Sequence, residues 1–202
     1  MPESAFFSGL SAIIPMRADE DRDWVTDLVR TARGEASEVL IVIERGVDPL
    51  SVRPALGSSE RTKILMQRGD TKSDALNLGL LSAVNQHVVF LDADLQLESG
   101  QIGAVREMLE ENEFVSVGYG LRVPNFVPLG FVSGWFFGAR RSVFVEVGGW
   151  SAGYLEDVET LKAIARSGHK IAIAPFTVKL RRPVRRPATK FLSVLASFGK
   201  RP

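Results

Sequence analysis

The chain has 202 residues, a length typical of one domain, and 45% of them are apolar, enough to bury a core. Its formal net charge of +1 argues against a general nucleic-acid binder, and the lack of cysteine excludes disulfides, thiolate metal sites and a cysteine nucleophile. No apolar run reaches the about 18–20 residues of a membrane-spanning helix, and MPESAFFSGL lacks a signal-peptide pattern, so we expect a cytoplasmic protein.

Short apolar runs alternate with longer amphipathic segments in the first half. The pattern predicts buried strands at 11–15, 38–44, 62–67 and 87–94, and helices between them at 19–32, 73–84 and 99–112. Ser73 and Ser99 are predicted to cap the second and third of these helices. This alternation, with strands that are apolar throughout, predicts an α/β fold in which helices flank both faces of a mostly parallel sheet.

The second half of the chain is less regular. It predicts a strand at 114–124, a mixture of loop and short helix at 125–150, a helix at 155–169 and a final strand at 170–180. No acidic residue follows Glu159, so the chain ends in a basic tail.

Two aspartates one residue apart, Asp92 and Asp94, follow the apolar run HVVFL. Residues i and i+2 of a strand point to the same side, so both carboxylates can face one site. Buried carboxylates repel each other unless a cation lies between them, and oxygen ligands suit Mg²⁺ or Mn²⁺ shared with phosphates. Because ligands of open α/β sheets bind at the carboxyl ends of strands, the pair indicates a metal–diphosphate site. A pair of turn aspartates is the alternative interpretation.

Together with four other segments, this pair resembles the family 2 glycosyltransferases in order and spacing over about residues 11–175. The five segments are Ile14-Pro15 with Met16-Arg17-Ala18-Asp19, Lys72 to Gly79, Asp92-Ala93-Asp94, Arg140 to Trp150, and Glu156-Asp157. The resemblance implies a Rossmann-like GT-A domain at 1–180, with a nucleotide-binding half at about 11–95, an acceptor half at about 96–180 and a basic tail at 181–202. It also implies inverting, metal-dependent transfer of a sugar from a nucleotide-diphosphate sugar to an acceptor hydroxyl or lipid phosphate, with Mn²⁺ or Mg²⁺.

The resemblance assigns roles to individual residues. Asp94 would ligate the metal on the diphosphate, and Asp92 would lie near the ribose and the metal. Asp157 would be the general base that takes the acceptor's proton, while Glu156 would orient the acceptor or the base. The donor-binding candidates are Pro15, Arg17, Glu44, Arg68, Lys72, Asp92, Ala93 and Asp94, and the acceptor-binding candidates are Trp135, Trp150 and Glu156.

Several of these side chains also have a purely structural interpretation. Glu156 and Asp157 suit the first turn of a helix, where acidic residues are favoured. Lys72 suits a solvated helix start. Trp135 and Trp150 have flat faces that suit a sugar or base, and they suit the hydrophobic core equally well.

Two features depart from the family pattern. Ile43 stands where the family has an aspartate that reads the nucleobase, and Glu44 lies beside it, so the donor is left open between UDP- and GDP-linked sugars. The family's histidine metal ligand after the last strand is also missing. Lys179, Arg181 or Arg182 could contact the diphosphate there instead.

The acceptor is open between a glycan, a lipid-linked molecule and a small molecule, and a nucleic-acid partner is not expected. The tail segment FLSVLASFG, between basic residues, could lie on an anionic membrane surface, or the tail could be an ordinary solvated or disordered end. Two other functions compete with sugar transfer. A sugar-nucleotide nucleotidyltransferase needs a glycine-rich phosphate loop where this chain has RADEDRD, and a non-catalytic nucleotide-sugar-binding module would keep the site without turnover.

Overall fold

The computed structural model describes residues 9–56, 60–119, 136–153 and 156–182. They form, in chain order, β1 (Leu10–Met16), α1 (Arg22–Glu35), β2 (Glu38–Ile43), α2 (Pro49–Leu56), β3 (Thr62–Met66), α3 (Lys72–Ser82), β4 (His87–Leu91), β5 (Leu95–Gln96), α4 (Gln101–Glu111), β6 (Phe114–Tyr119), β7 (Phe136–Arg140), α5 (Arg141–Val147), α6 (Glu156–Arg166) and β8 (Ile171–Leu180). None of the helices in these ranges has the length and apolar character needed to cross a membrane.

One sheet of eight strands, in the order β3-β2-β1-β4-β7-β6-β8-β5, runs through the described part of the chain. Strands β3, β2, β1 and β4 are parallel neighbours, whereas β7 is antiparallel to both β4 and β6. Strands β6 and β8 are again parallel, and the short β5 pairs antiparallel with β8. The predicted α/β fold is confirmed, with its parallel strands in the first half and a mixed sheet in the second.

Helices cover both faces of the sheet. On one face, α1 and α4 bury Leu28 and Val105 in the same cluster as Ile14 of β1. On the other face, α3 buries Leu76 against the side that carries Ile13, together with residues of α5 and α6. Each such side chain contributes about 1.5–3 kcal/mol when it leaves water. Because neighbouring β1 residues are buried on opposite faces, the sheet is held rigidly between the helices, and the ends of its parallel strands have fixed positions.

The largest differences from the predicted elements lie around the central strands. Strand β4 ends at Leu91, so Asp92 and Asp94 lie on the segment that follows it rather than within a strand. The short helix expected within 125–150 is α5, whereas β7 was not predicted. A Cβ atom on Gly138 of β7 would lie 2.3 Å from Val105 Cγ1, so α4 packs directly on the β7 backbone. The glycine that permits this contact also weakens the strand pattern in the sequence.

The N-cap of α3 is Thr71 and not the predicted Ser73. The Thr71 hydroxyl accepts a hydrogen bond from the Asp74 N–H at 3.1 Å, and the Asp74 carboxylate accepts one from the Thr71 N–H at 3.0 Å. This reciprocal pair is a capping box. Ser73 lies two residues further along and donates its hydroxyl hydrogen bond to the Ser151 carbonyl at 2.7 Å, which ties α3 to the segment after α5.

The start of α4 is held by a glutamate from another helix, and the predicted cap Ser99 is wrong. The helix follows Gly100, which has a φ of 90° and makes no side-chain cap. Glu35, the last residue of α1, accepts hydrogen bonds from the Gly100 N–H at 2.7 Å and the Gly103 N–H at 2.8 Å. A carboxylate at a helix N-terminus satisfies free N–H groups and favours the helix dipole. Glu35 therefore joins the end of α1 to the start of α4.

We expect Glu35→Ala to lower the free energy of unfolding by about 1–2 kcal/mol, since it leaves two N–H groups at the start of α4 without their carboxylate. Urea denaturation followed by circular dichroism measures this change. Glu107→Ala, at an exposed position in the same helix, is the matched control and should change stability by less than about 0.5 kcal/mol. Equal stability of the two variants would contradict an anchoring role for Glu35.

Candidate functional site

A cleft of about 430 Å³ opens at the carboxyl ends of the parallel strands. Its walls are the end of β1, the segments that follow β1, β2, β3 and β4, and the first turn of α3. Arg182, which lies just beyond β8, completes the lining. Of the eight donor-binding residues predicted from the sequence, the seven that line this cleft are Pro15, Arg17, Glu44, Lys72, Asp92, Ala93 and Asp94. The parallel topology therefore gathers residues that are up to about eighty positions apart in the chain.

The eighth candidate, Arg68, is exposed and is not among the described residues that line the cleft. Its neighbour Gln67 lines the cleft instead, is 6% exposed, and donates from Nε2 to the Gly69 carbonyl at 2.8 Å. Sequence reasoning missed Gln67 although it lies just past the end of β3, where side chains of a parallel sheet meet a ligand. It also missed Glu20 and Asp70, which lie on the segments after β1 and β3.

Lys72, the first residue of α3, forms an ion pair with Asp92, with Nζ 2.5 Å from Oδ1. Burial acts to lower the Lys72 pKa, but the carboxylates of Asp92, Glu156 and Asp157 outweigh it and hold the pKa above its ordinary value. The ammonium group therefore stays charged. Lys72 thus contacts Asp92 directly and also responds to the two carboxylates at the start of α6.

Asp94 is half-buried in the cleft. Burial raises the pKa of its carboxyl above the ordinary value, although the charges of Arg182 and Lys72 act in the opposite direction. Its backbone carbonyl accepts a hydrogen bond from the Arg181 N–H at 2.8 Å. A carboxylate in this position is stabilised further by any cation that enters the cleft.

The charges of the cleft favour a divalent cation. Its acidic lining residues among the described ones are Glu20, Glu44, Asp70, Asp92 and Asp94, and its basic ones are Arg17, Lys72 and Arg182. Five carboxylates against three cations leave an excess of two negative charges, which would repel a diphosphate.

Within the described residues, no group of three or more Asp, Glu, His or Cys side chains is arranged to hold a metal ion alone. The carboxylates of Asp92 and Asp94 fit a Mg²⁺ or Mn²⁺ ion that takes its other ligands from phosphate and water.

Glu44 has a structural contact besides its place in the cleft. Its carboxylate accepts a hydrogen bond from the Ala18 N–H at 2.8 Å, and its own N–H donates to the Met16 carbonyl at 2.9 Å. It therefore orders the turn between β1 and α1. Ile43, at the position where an aspartate was expected, is fully buried in β2 beside Met16 and Met66.

The segment between α5 and α6 is clamped to α3 by Asn77. The Asn77 Oδ1 accepts from the Trp150 N–H at 2.7 Å, and its Nδ2 donates to the Trp150 carbonyl at 3.0 Å. Gly149 has a φ of 86°, and a Cβ atom there would lie 2.5 Å from Asn77 Oδ1. Both the backbone angle and the close approach require glycine. The clamp fixes the segment that leads into α6.

The first turn of α6 carries the two predicted catalytic residues. Asp157 is 6% exposed, and its Oδ1 accepts a hydrogen bond from the Val158 N–H at 2.9 Å. Glu156 is half-buried beside it, and Thr160 accepts from the Ser151 N–H at 2.9 Å. These contacts suit a helix start. Neither carboxylate is among the described residues that line the cleft, although both act to raise the pKa of Lys72.

The predicted acceptor contact of Trp150 is corrected by the structure. Its ring is 4% exposed and packs against Phe90, Phe137 and Phe144 with centroid distances of 5.0–5.6 Å. Trp150 thus belongs to the core, the second of its two interpretations, because the Asn77 clamp turns its side chain under the sheet. Trp135 lies outside the described residues.

We expect Gly149→Ala to destabilise the protein by about 1–3 kcal/mol more than Gly148→Ala, because only the first would force a methyl group against Asn77. The two glycines have nearly the same φ, 86° for Gly149 and 85° for Gly148, so alanine causes the same backbone strain at both positions. A Cβ atom on Gly148 meets nothing within 4 Å, so only the Gly149 variant adds a steric clash. Urea denaturation of both variants measures the difference. Adding Asn77→Ala to Gly149→Ala should remove part of it, and equal stability of the two single variants would contradict the clamp.

Solved structures share this architecture. The mannosyltransferase PcManGT from Pyrobaculum calidifontis, in complex with GDP-Man and Mn²⁺, is 19% identical with a TM-score of 0.70, over 100% of this chain and 68% of that one. Glucosyl-3-phosphoglycerate synthase from Mycobacterium tuberculosis, in complex with Mn²⁺, UDP and phosphoglyceric acid, is 16% identical with a TM-score of 0.69, over 97% of this chain and 80% of that one. Identities this low show a shared fold.

A third solved structure has a similar fold as well. The 4-diphosphocytidyl-2C-methyl-D-erythritolsynthase from Anaerococcus prevotii is 12% identical with a TM-score of 0.63, over 96% of this chain and 97% of that one. A search of curated proteins finds no match to the chain. The sequence profile described as Glycosyl transferase family 2 matches residues 41–141, which is half of the chain and includes the end of β2, Lys72 and the Asp92–Asp94 segment. The chain belongs to the family 2 glycosyltransferases and has their GT-A fold.

Proposed function

We propose that this protein transfers a sugar from a UDP- or GDP-linked donor to an acceptor hydroxyl, with a divalent metal held between the donor's diphosphate and the carboxylates of Asp92 and Asp94. The observation that carries this proposal is the cleft in which Lys72 and the Asp92–Asp94 pair meet at the carboxyl ends of parallel strands. The complexes of two proteins of the same fold with Mn²⁺ and a nucleotide support it. A complex of the second with Mg²⁺ and UDP supports either metal.

The donor lies across the cleft in this proposal. Its nucleoside rests against the ends of β1, β2 and β3, where Pro15, Glu44 and Gln67 form the wall. Its diphosphate lies between Lys72 and the two aspartates. Since Ile43 is buried in the core, Gln67 and Glu44 are the side chains placed to distinguish uracil from guanine.

The transfer is a single displacement. The acceptor oxygen bonds to the anomeric carbon as the bond from that carbon to the diphosphate oxygen breaks, and the electron pair leaves with the nucleoside diphosphate. Because the acceptor attacks on the face opposite the departing diphosphate, the configuration at the anomeric carbon is inverted, and Asp157 accepts the proton of the acceptor hydroxyl. The bound metal would offset negative charge on the departing diphosphate. Lys72, held in its charged form, adds to this stabilisation from the start of α3.

The acceptor approaches from the side of α6 in this proposal, where Glu156 orients its hydroxyl group. A small anionic acceptor has a precedent in the fold, since one neighbour is a glucosyl-3-phosphoglycerate synthase in complex with phosphoglyceric acid. A glycan and a lipid-linked molecule are the other two acceptor classes in this proposal. The lipid-linked class rests on the basic residues of 183–202, which lie outside the described residues.

A nucleotidyltransferase is the second candidate, because the Anaerococcus prevotii fold matches nearly the full length of both chains. That reaction requires a triphosphate beside the turn after β1. Here the turn carries Asp19 and Glu20, whose charges disfavour three phosphates. Thermal shift with CTP or UTP against UDP, each with Mg²⁺, separates the two: a larger shift with a triphosphate would favour the nucleotidyltransferase.

Asp94→Asn should weaken binding of UDP or GDP in the presence of Mn²⁺ by at least about tenfold, because it removes a charged metal ligand. Isothermal titration calorimetry with and without Mn²⁺ measures this affinity. Asp23→Asn, at an exposed position in the first turn of α1, is the control and should bind as wild type. Unchanged nucleotide affinity of Asp94→Asn with Mn²⁺ would rule out the proposed metal site.

Asp157→Asn should retain donor binding and slow transfer by about 10²–10⁴-fold, the usual contribution of a general base. The assay follows release of nucleoside diphosphate from UDP-glucose and GDP-mannose with a panel of acceptors that includes 3-phosphoglycerate and methyl glycosides. Glu159→Gln, in the same first turn and exposed, is the matched control. Full activity of Asp157→Asn would remove this residue from the mechanism.

A further inference from the structure

Arg182 reaches from the end of β8 to the turn after β1, across the cleft. Its Nη2 donates to the Asp19 carbonyl at 2.7 Å and lies 3.0 Å from Glu20 Oε2. Its Nη1 lies 3.6 Å from Asp19 Oδ2. Arg182 also lines the cleft together with Glu20 and Asp94, so its guanidinium faces the space assigned to the donor.

The strand pairing at the end of the sheet delivers Arg182 to this place. Leu95 and Gln96 of β5 pair with Leu180 and Lys179 of β8, and β5 directly follows Asp94. The chain beyond β8 therefore returns to the aspartate pair, and the hydrogen bond from the Arg181 N–H to the Asp94 carbonyl fixes it there.

The three basic residues at this end of the chain have different surroundings. The Arg181 side chain turns away to Asp27 of α1, at 3.2 Å, and Lys179 is 75% exposed beside Glu98. Among them Arg182 is the residue that lines the cleft. The sequence alone does not show which of the three basic residues enters the cleft. The register of β5 on β8 determines it.

Glu20 is an unexpected residue in a cleft for an anion. Its side chain is only 11% exposed. Burial raises the pKa of its carboxyl, Arg182 acts in the opposite direction, and the nearby carboxylates of Asp94, Asp19 and Asp92 raise it further. A carboxylate so placed repels phosphate, yet it is next to the guanidinium that could bind one. Its contact with Arg182 gives it a function that does not require it to touch the donor.

We infer that Arg182 is a second cation, besides Lys72, that contacts the donor's diphosphate, and that Glu20 is a positioning residue that holds the Arg182 guanidinium over the cleft. This inference rests on the proposed function. The guanidinium is planar and always charged, and it has five N–H donors, so it can keep Glu20 on one edge and bind phosphate oxygens with another. Lys72 and Arg182 both have carboxylate partners, but the three donors of an ammonium group leave fewer free N–H groups than the five of a guanidinium.

The first experiment compares Arg182→Ala with Arg181→Ala, which removes the same charge from the adjacent residue. Titration calorimetry with Mn²⁺ measures binding of the nucleoside, the monophosphate and the diphosphate of uridine or guanosine, whichever series binds wild type more tightly. Arg182→Ala should weaken diphosphate binding about 10–100-fold and leave nucleoside binding within about twofold, as expected for loss of charged hydrogen bonds. The diphosphate affinity of Arg182→Lys should lie between the affinities of the two alanine variants.

Three results are decisive in this comparison. Equal diphosphate affinity of the two alanine variants would overturn the role of Arg182 and leave the proposed function standing. Wild-type protein that binds no nucleotide would overturn both. Loss of nucleoside binding together with diphosphate binding would show a folding defect rather than a phosphate contact, and would also overturn the role.

The second experiment tests Glu20 through its coupling to Arg182. Glu20→Gln should weaken diphosphate binding about threefold to tenfold in the wild-type background and change nothing in the Arg182→Ala background. Glu20→Asp should restore part of the affinity. An equal loss in both backgrounds would mean that Glu20 acts independently of Arg182, and tighter binding by Glu20→Gln would mean that it competes with the diphosphate. Either result would overturn the positioning role.

Discussion

Neutralisation of the carboxylates at the end of β4 is the constraint on which the rest of the site depends. Asp92 is paired with Lys72, and the half-buried Asp94 has a raised pKa that the charges of Arg182 and Lys72 oppose. These two cations come from the start of α3 and the end of β8, so both halves of the sheet contribute to one charge balance. The remaining excess of negative charge is what a divalent metal would neutralise when a diphosphate enters.

Helix α3 connects the aspartate pair to the second half of the chain. Its first residue, Lys72, reaches Asp92, while Ser73 and Asn77 hold the backbone of Trp150 and Ser151. The same helix packs its apolar face on the parallel strands. One rigid element thus sets the distance between the aspartate pair and the start of α6, where the candidate base lies. These contacts explain why α3, whose sequence is rich in small and polar residues, packs at the centre of the fold.

Much of the site could be predicted from the sequence because its residues follow apolar strands, and parallel strands end at one edge. That rule places Pro15, Lys72 and Asp94 correctly in the cleft. It fails for Arg68, because its neighbour Gln67 lines the cleft instead. For Trp150 the sequence left a ligand contact and the core open, and the structure places its ring in the core, with its backbone hydrogen-bonded to Asn77. The predicted caps of α3 and α4 were wrong for different reasons: Thr71 forms a local capping box with Asp74 at the start of α3, whereas the distant Glu35 holds the start of α4.

The sequence by itself determined the α/β class, the family and the aspartate pair, since apolar periodicity and motif spacing are properties of short, local segments. Only the tertiary structure decided which basic residue enters the cleft and which glutamate accompanies it. Arg181 and Arg182 are chemically identical neighbours, and the pairing of β5 with β8 directs one to Asp27 and the other to Glu20. Contacts that span more than 150 residues depend on how the whole sheet closes, and no local pattern carries that information.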